Sequence, residues 1–161
     1  DLVSLDVGVN LNGYFGDGAI TLPVGEVDGE AKRLLEVTEK ALYLGIEKAE
    51  VGNRLFDISH AVQTWVESQG FSVVRDFVGH GIGTHPHAEP QVPNYVDRRN
   101  ENPRLKDGMV LAIEPMVNEG TCDVKVLSDN WTVETADGKL SAHFEHTVAV
   151  AEDGPVILTL P

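Results

Sequence analysis

Apolar and polar residues alternate at the start of the chain, where Val3, Leu5, Val7, Val9 and Leu11 are separated by Ser4, Asp6, Gly8 and Asn10. A period of two is that of a strand with unlike faces. Asn12-Gly13 comes next, before a second short run that ends at Pro23 and Gly25. Both turn residues tolerate positive φ, which suits a two-residue hairpin connection. Residues 1–24 therefore read as a hairpin. Without a bulge, opposed residue numbers sum to 25, so Asp6 faces Ala19 and Gly8 faces Asp17. Diagonal neighbours on one face are roughly 7–8 Å apart at the backbone, so the Asp6 and Asp17 carboxylates can converge. The apolar face is expected to be buried, leaving Asp6 among small and polar residues.

The period then lengthens. Leu34, Leu35, Ala41, Leu42 and Ile46 recur at helical spacing, predicting a helix over residues 29–49 with Asp28 as its N-cap. A second helix is expected over 55–69, stopped by Gly70, with Ile58, Val62 and Trp65 on its packed face. Strand patterns return at 71–74, 109–114, around Trp131 and over 144–150. Strands, then helices, then strands, without regular βαβ alternation, indicate an α+β fold.

At 161 residues the chain fits a single domain with a sizeable core. No apolar run is long enough to span a bilayer and no signal peptide is visible. The first residues already read as a strand and lack an initiator Met, so an upstream segment is expected. A formal net charge of −14 argues against nucleic acid as a partner. Such a balance is an ordinary solvated surface unless carboxylates gather in one cleft to hold cations. Cys122 is the single cysteine, which excludes an internal disulfide and fits a reducing compartment.

The carboxylates do show a pattern. In 141–150, Phe144, His146, Val148 and Val150 share one face, and Glu145 stands on the other with His143 and Thr147. Glu114 ends the apolar run 109–113, immediately before Pro115. A carboxylate there costs several kcal/mol unless paired or coordinated. Between these segments lies Gly79-His80-Gly81-Ile82-Gly83-Thr84-His85-Pro86-His87. It lacks the Lys-Ser/Thr of a phosphate loop, and its glycines let the backbone pass close to something bulky. His80 with Asp6, Asp17, Glu114 and Glu145 is an oxygen-rich set with one imidazole, unlike a closed Cys/His zinc site. It suits Mn²⁺, Fe²⁺ or Co²⁺ and admits Zn²⁺. Four carboxylates balance two divalent cations, so the residues point to a carboxylate-bridged metal pair.

Taken together, Leu5-Asp6-Val7, Gly16-Asp17, Gly79-His80-Gly81-Ile82-Gly83, Glu89-Pro90-Gln91-Val92-Pro93-Asn94-Tyr95, Ile113-Glu114-Pro115-Met116-Val117, Trp131-Thr132-Val133 and Phe144-Glu145-His146-Thr147 resemble type I methionine aminopeptidase. The resemblance covers essentially the whole chain. It implies the pita-bread fold, two pseudo-symmetric α+β halves with two metals between them, here as one catalytic metallopeptidase domain over 1–161 that lacks the family's usual N-terminal segment. By the same matching Asp6 holds one metal, Asp17 and Glu145 bridge both, and His80 and Glu114 complete the second site. His87 contacts the substrate near the scissile bond, and Met116 and Trp131 wall the methionine pocket. The implied reaction is hydrolytic removal of an N-terminal Met, with Glu114 as proton shuttle. The implied substrates are peptide and nascent-protein N-termini, near the ribosome and in the cytoplasm.

Prolidases and Xaa-Pro aminopeptidases share the fold and the five ligands, so an Xaa-Pro hydrolase is the alternative reading. A non-catalytic pita-bread module that binds a protein is the second. Trp131-Thr132-Val133 and residues 89–95 favour the methionine enzyme, and the 31-residue step from Glu114 to Glu145 leaves no room for the type II insertion. Pro86 and His143 depart from the family, which often has a larger apolar residue and Gln at those positions.

Overall fold

The computed structural model describes residues 1–160. The first hairpin forms in two pieces: β1 (Leu2–Asp6), β2 (Val9–Leu11), β3 (Tyr14–Gly16) and β4 (Gly18–Pro23). β1 pairs with β4 and β2 with β3, both antiparallel, and the register follows the sum of 25: Asp6 opposes Ala19 and Val9 opposes Gly16. Asn12 and Gly13 make the turn with φ of 53° and 86°. The ladder opens at Val7-Gly8, which leaves the backbone of Asp17 free to find another partner.

Helix α1 (Gly29–Ile46) begins where Asp28 accepts a 2.8 Å hydrogen bond from the Ala31 N–H on Oδ1. It ends three residues before the expected position 49, and the chain turns there with Ala49 still buried. Helix α2 (Leu55–Ser68) stops just before Gly70, whose φ of 83° suits a residue without Cβ. Leu34, Val37, Ala41 and Leu42 of α1 pack with Leu55, Ile58, Val62 and Val66 of α2 in one core. Each such leucine or isoleucine stabilises the fold by about 1.5–3 kcal/mol through burial. Trp65 is only partly buried, and its indole N–H donates to the Val37 carbonyl at 3.1 Å.

The rest of the chain is strand and loop: β5 (Ser72–Val73), β6 (Gly79–Gly81), β7 (Ala88–Val92), β8 (Val110–Ile113), β9 (Met116–Asn118), β10 (Val124–Val126), β11 (Val133–Thr135), β12 (Ser141–His143), β13 (Glu145–Ala149) and β14 (Val156–Ile157). The main sheet runs β1-β4-β13-β8-β6-β7, with β14 pairing β13; β12-β9-β5 form a second sheet and β10-β11 a separate hairpin. All named pairings are antiparallel, as expected of an α+β fold. α1 packs behind β4, β8, β9, β12 and β13. Their buried side chains (Leu111, Ile113, Val117, Ala142 and Val148) complete the core under the helices.

One expectation is corrected. The apolar face of the first hairpin is exposed: Leu5 and Ile20, which oppose one another, are 50% and 42% accessible, and Leu11 is 70% accessible. β1 is an edge strand of the main sheet, and α1 lies against β4, β13 and β8 instead. Alternation identifies which residues share a face, but it does not say whether another element reaches that face.

Candidate metal centre

The strand order that positions the helices also gathers the acids. Asp6 ends β1, Asp17 precedes β4, Glu145 opens β13, Glu114 follows β8 and His80 is the middle residue of β6. Glu145 opposes Ala19 across β13–β4, and His80 opposes Ala112 across β6–β8. Adjacent strands lie about 4.8 Å apart, so the five neighbouring strands β1-β4-β13-β8-β6 bring residues scattered over the sequence to one place. All five line a single cleft of about 970 Å³.

Ligand atoms of Asp17, His80 and Glu145 lie within 4.8 Å of one another. The His80 Nε2 is 3.4 Å from Glu114 Oε1. His80 Nδ1 lies 3.0 Å from the Gly81 carbonyl oxygen. A carbonyl only accepts, so Nδ1 carries the proton and Nε2 turns its lone pair toward the carboxylates. This is the arrangement by which metal-binding histidines are oriented. The flanking glycines serve the strand packing: a Cβ at Gly79 would overlap the Ala112 carbonyl oxygen, and one at Gly81 would overlap that of Glu89. The bulky object anticipated beside His80 is thus neighbouring backbone.

Without cations Glu114 and Glu145 resist ionisation. Burial, followed by the charges of Asp6 and Asp17, pushes Glu114 up to about 8. Burial, then Glu114, Asp17 and Asp6, pushes Glu145 up to about 9. Carboxylates that repel each other in a shielded cleft need protons or cations between them. With a properly oriented imidazole alongside, this donor set fits two divalent cations, and its oxygen-rich chemistry is that of Mn²⁺, Fe²⁺ or Co²⁺ before Zn²⁺.

Three polar side chains that sequence reasoning gave no role hold the site's backbone. Thr147 Oγ1 accepts from the Asp17 N–H and donates to the Asp17 carbonyl, both at 2.8 Å. Asn94 Nδ2 donates to the Glu114 carbonyl at 3.0 Å. Thr21 Oγ1 accepts from the His143 N–H at 2.8 Å and donates to its carbonyl at 2.7 Å. All three residues are buried. Thr147 shares a strand face with Glu145, which is the one signal sequence carries; for Thr21 and Asn94 the partners are 122 and 20 residues away.

His87 is exposed and stands edge-on to His80, with ring centroids 4.5 Å apart. Met116 lines the same cleft from the start of β9. Trp131 lines it from the β10–β11 hairpin and is 87% accessible. Its loop is fixed by Asp129, whose carboxylate accepts from the Trp131 N–H at 3.0 Å, the Thr132 N–H at 2.9 Å and the Thr132 hydroxyl. The Thr132 hydroxyl first, and then these amides, hold Asp129 below the usual carboxylate range.

The sequence profile of metallopeptidase family M24 matches residues 1–152. The chain belongs to metallopeptidase family M24. Methionine aminopeptidase 1 of Bacillus subtilis is 58% identical over 159 residues, and the methionine aminopeptidase of Clostridium perfringens is 59% identical over 160. In each case the match takes in 99% of this chain and 64% of the relative, so the chain spans just under two thirds of their length. The crystal structure of methionine aminopeptidase from Thermotoga maritima superposes with a TM-score of 0.95 at 48% identity, covering 100% of this chain and 64% of that one. Prolidase from Pyrococcus furiosus, at 24% identity, shares the fold with a TM-score of 0.77. The M24 chain thus has the pita-bread fold of these proteins, in part. Its oxygen-rich donor set agrees with the metal dependence in the family's description.

Proposed function

We propose that this M24 chain carries the metal-binding part of a methionine aminopeptidase, releasing the N-terminal Met of peptides and nascent proteins in the cytoplasm, close to the ribosome. The observation that carries the reading is one cleft holding Asp6, Asp17, His80, Glu114 and Glu145, with Met116 and Trp131 beside them. Identity of 58% to a named methionine aminopeptidase supports the choice of substrate.

Asp6, Asp17, His80, Glu114 and Glu145 would hold the two cations. When bound, these supply Lewis acidity, which acidifies water and polarises a carbonyl. Met116 and Trp131 accept the substrate's thioether side chain, whose apolar, polarisable character suits both. His87 reaches the scissile bond from the exposed side of His80 and donates to the carbonyl oxygen as it gathers negative charge. Glu114 takes the proton of the attacking water and delivers it to the departing amine.

The test is Met release from a Met-Ala-Ser peptide by the 161-residue chain, with Mn²⁺, Co²⁺ or Fe²⁺, a metal-stripped control and an Ala-Pro-Ala peptide alongside. Metal-dependent release of Met and not of Ala is expected. Release of Ala from Ala-Pro-Ala instead makes the protein an Xaa-Pro hydrolase. No release with any metal leaves the M24 fold and removes the proposed activity from this length of chain.

A further inference from the structure

We propose that His143 is a positioning residue for Glu114, its Nε2–H donating to Glu114 Oε2 and holding that carboxylate in the orientation that meets the cations. The inference rests on the two-cation reading above.

Glu114 lies between two imidazoles. His80 Nε2 is 3.4 Å from Oε1, and His143 Nε2 is 3.7 Å from Oε2. His143 Nε2 is buried and has no hydrogen-bond partner, one of two such side-chain atoms among the described residues. A buried polar atom without a partner is costly, and native structures keep few of them. Glu114 Oε2, 3.7 Å away, is an acceptor able to satisfy it. Closing the gap by roughly half an ångström brings the pair within N–H···O range. Cation binding through the carboxylates is the event that would draw Glu114 to a definite position.

The placement of His143 is enforced from several directions. It pairs with Met116 across β12–β9, two residues beyond Glu114. Its backbone is gripped at both N–H and carbonyl by Thr21. Thr21 is itself braced by Ser4: because the Thr21 hydroxyl donates to His143, the Ser4 hydroxyl donates to Thr21, at 2.8 Å. Asp17, an assigned cation ligand, is gripped at the same two backbone atoms by Thr147, and the Glu114 carbonyl is held by Asn94. The fold thus secures His143 as tightly as the ligands, while its ring atom faces a ligand's free oxygen. Groups that hydrogen-bond metal ligands in this way typically govern affinity by about 10–100-fold.

The experiment is Mn²⁺ titration by calorimetry of the wild-type chain, His143→Gln and His143→Leu, with the melting temperature of each metal-free protein. Gln keeps an N–H donor of similar reach, whereas Leu has none. The expected result is an affinity loss of about 10–100-fold for at least one Mn²⁺ in His143→Leu, with His143→Gln within about threefold of wild type. The metal-free His143→Leu chain should melt no lower than wild type, since it loses an unpaired buried atom and no hydrogen bond. Wild-type Mn²⁺ affinity in His143→Leu would overturn the proposal. So would an equal loss in both variants, which would make the imidazole itself a ligand. Absence of Mn²⁺ binding to the wild type would remove the two-cation reading and this one with it; binding by the wild type alongside an unaffected Leu variant removes only this one. If His143→Leu does not fold, His143→Phe supplies the ring without a donor and is read by the same criteria.

Discussion

Glu114 and Glu145 hold their protons far above the ordinary carboxylate value of 4.5, at about 8 and about 9, because burial and neighbouring acids disfavour their charge. Between pH 4.5 and those values the folded metal-free chain keeps protons that the unfolded chain has released. The unfolded state then binds fewer protons, so stability falls as pH rises through that window and levels off above it. The metal-free melting temperature should accordingly decrease from pH 5 to pH 9, and saturating Mn²⁺ should raise it most at the alkaline end. A flat or rising metal-free profile in differential scanning calorimetry would contradict the shielding described here. Function should be equally sensitive at these positions: Glu114→Ala or Asp17→Ala is expected to lower Met release by at least about 100-fold. A variant retaining more than about a tenth of wild-type turnover would take that residue out of the mechanism. Thr147 reaches the site through the Asp17 backbone. Thr147→Val removes both hydrogen bonds to the Asp17 backbone and should cost about 2 kcal/mol of stability, at about 1 kcal/mol for each, and weaken Mn²⁺ binding. Thr147→Ser, which keeps the hydroxyl, should leave Mn²⁺ affinity near wild type; calorimetric titration of the pair decides it.

Among the elements, β6 is the most constrained. It runs between β8 and β7 so closely that Gly79 and Gly81 leave no space for a side chain against the Ala112 and Glu89 carbonyls. Gly81→Ala should therefore force the strands apart, costing about 1–3 kcal/mol. For a chain of this size that lowers the melting temperature by at least about 3 °C, and an unchanged melting curve would refute the close approach. The Gly-His-Gly pattern was legible as a demand for tight passage. What passes close was not, because the sequence does not state which strands flank β6. Asp28 as N-cap and the hairpin register were legible for a different reason. Both depend on residues a few positions apart, where local geometry leaves few choices.

At the scale of the molecule, one face of the β1–β4 pair stands out, with Val3, Leu5, Ile20 and Leu22 all more than two fifths exposed. Contiguous exposed apolar residues drive association, and β1 adds an unpaired strand edge. At concentrations of about 100 µM the chain is expected to sediment partly as oligomers. The double substitution Leu5→Lys, Leu22→Lys should shift it toward monomer without changing Mn²⁺ affinity, since both side chains lie on the face opposite Asp6 and Ser4. Sedimentation velocity of the two proteins measures this, and identical distributions would show that the face does not drive association.

The order of the five candidate ligands, their residue types and the two-period hairpin were determined by the sequence itself. Oxygen-rich donor chemistry and strand periodicity are properties of residue type and short-range spacing, and neither needs the fold to be known. Only the tertiary structure decided that β4, β13, β8 and β6 lie side by side, which turns separated acids into one shielded cluster and raises Glu114 and Glu145. It alone assigned Thr147, Asn94 and Thr21 as the clamps of the site. Their hydrogen bonds span 130, 20 and 122 residues, and no local pattern encodes a partner at that distance. The exposed face of β1 belongs with them: an alternating strand specifies an apolar side, while burial depends on what the rest of the molecule places against it.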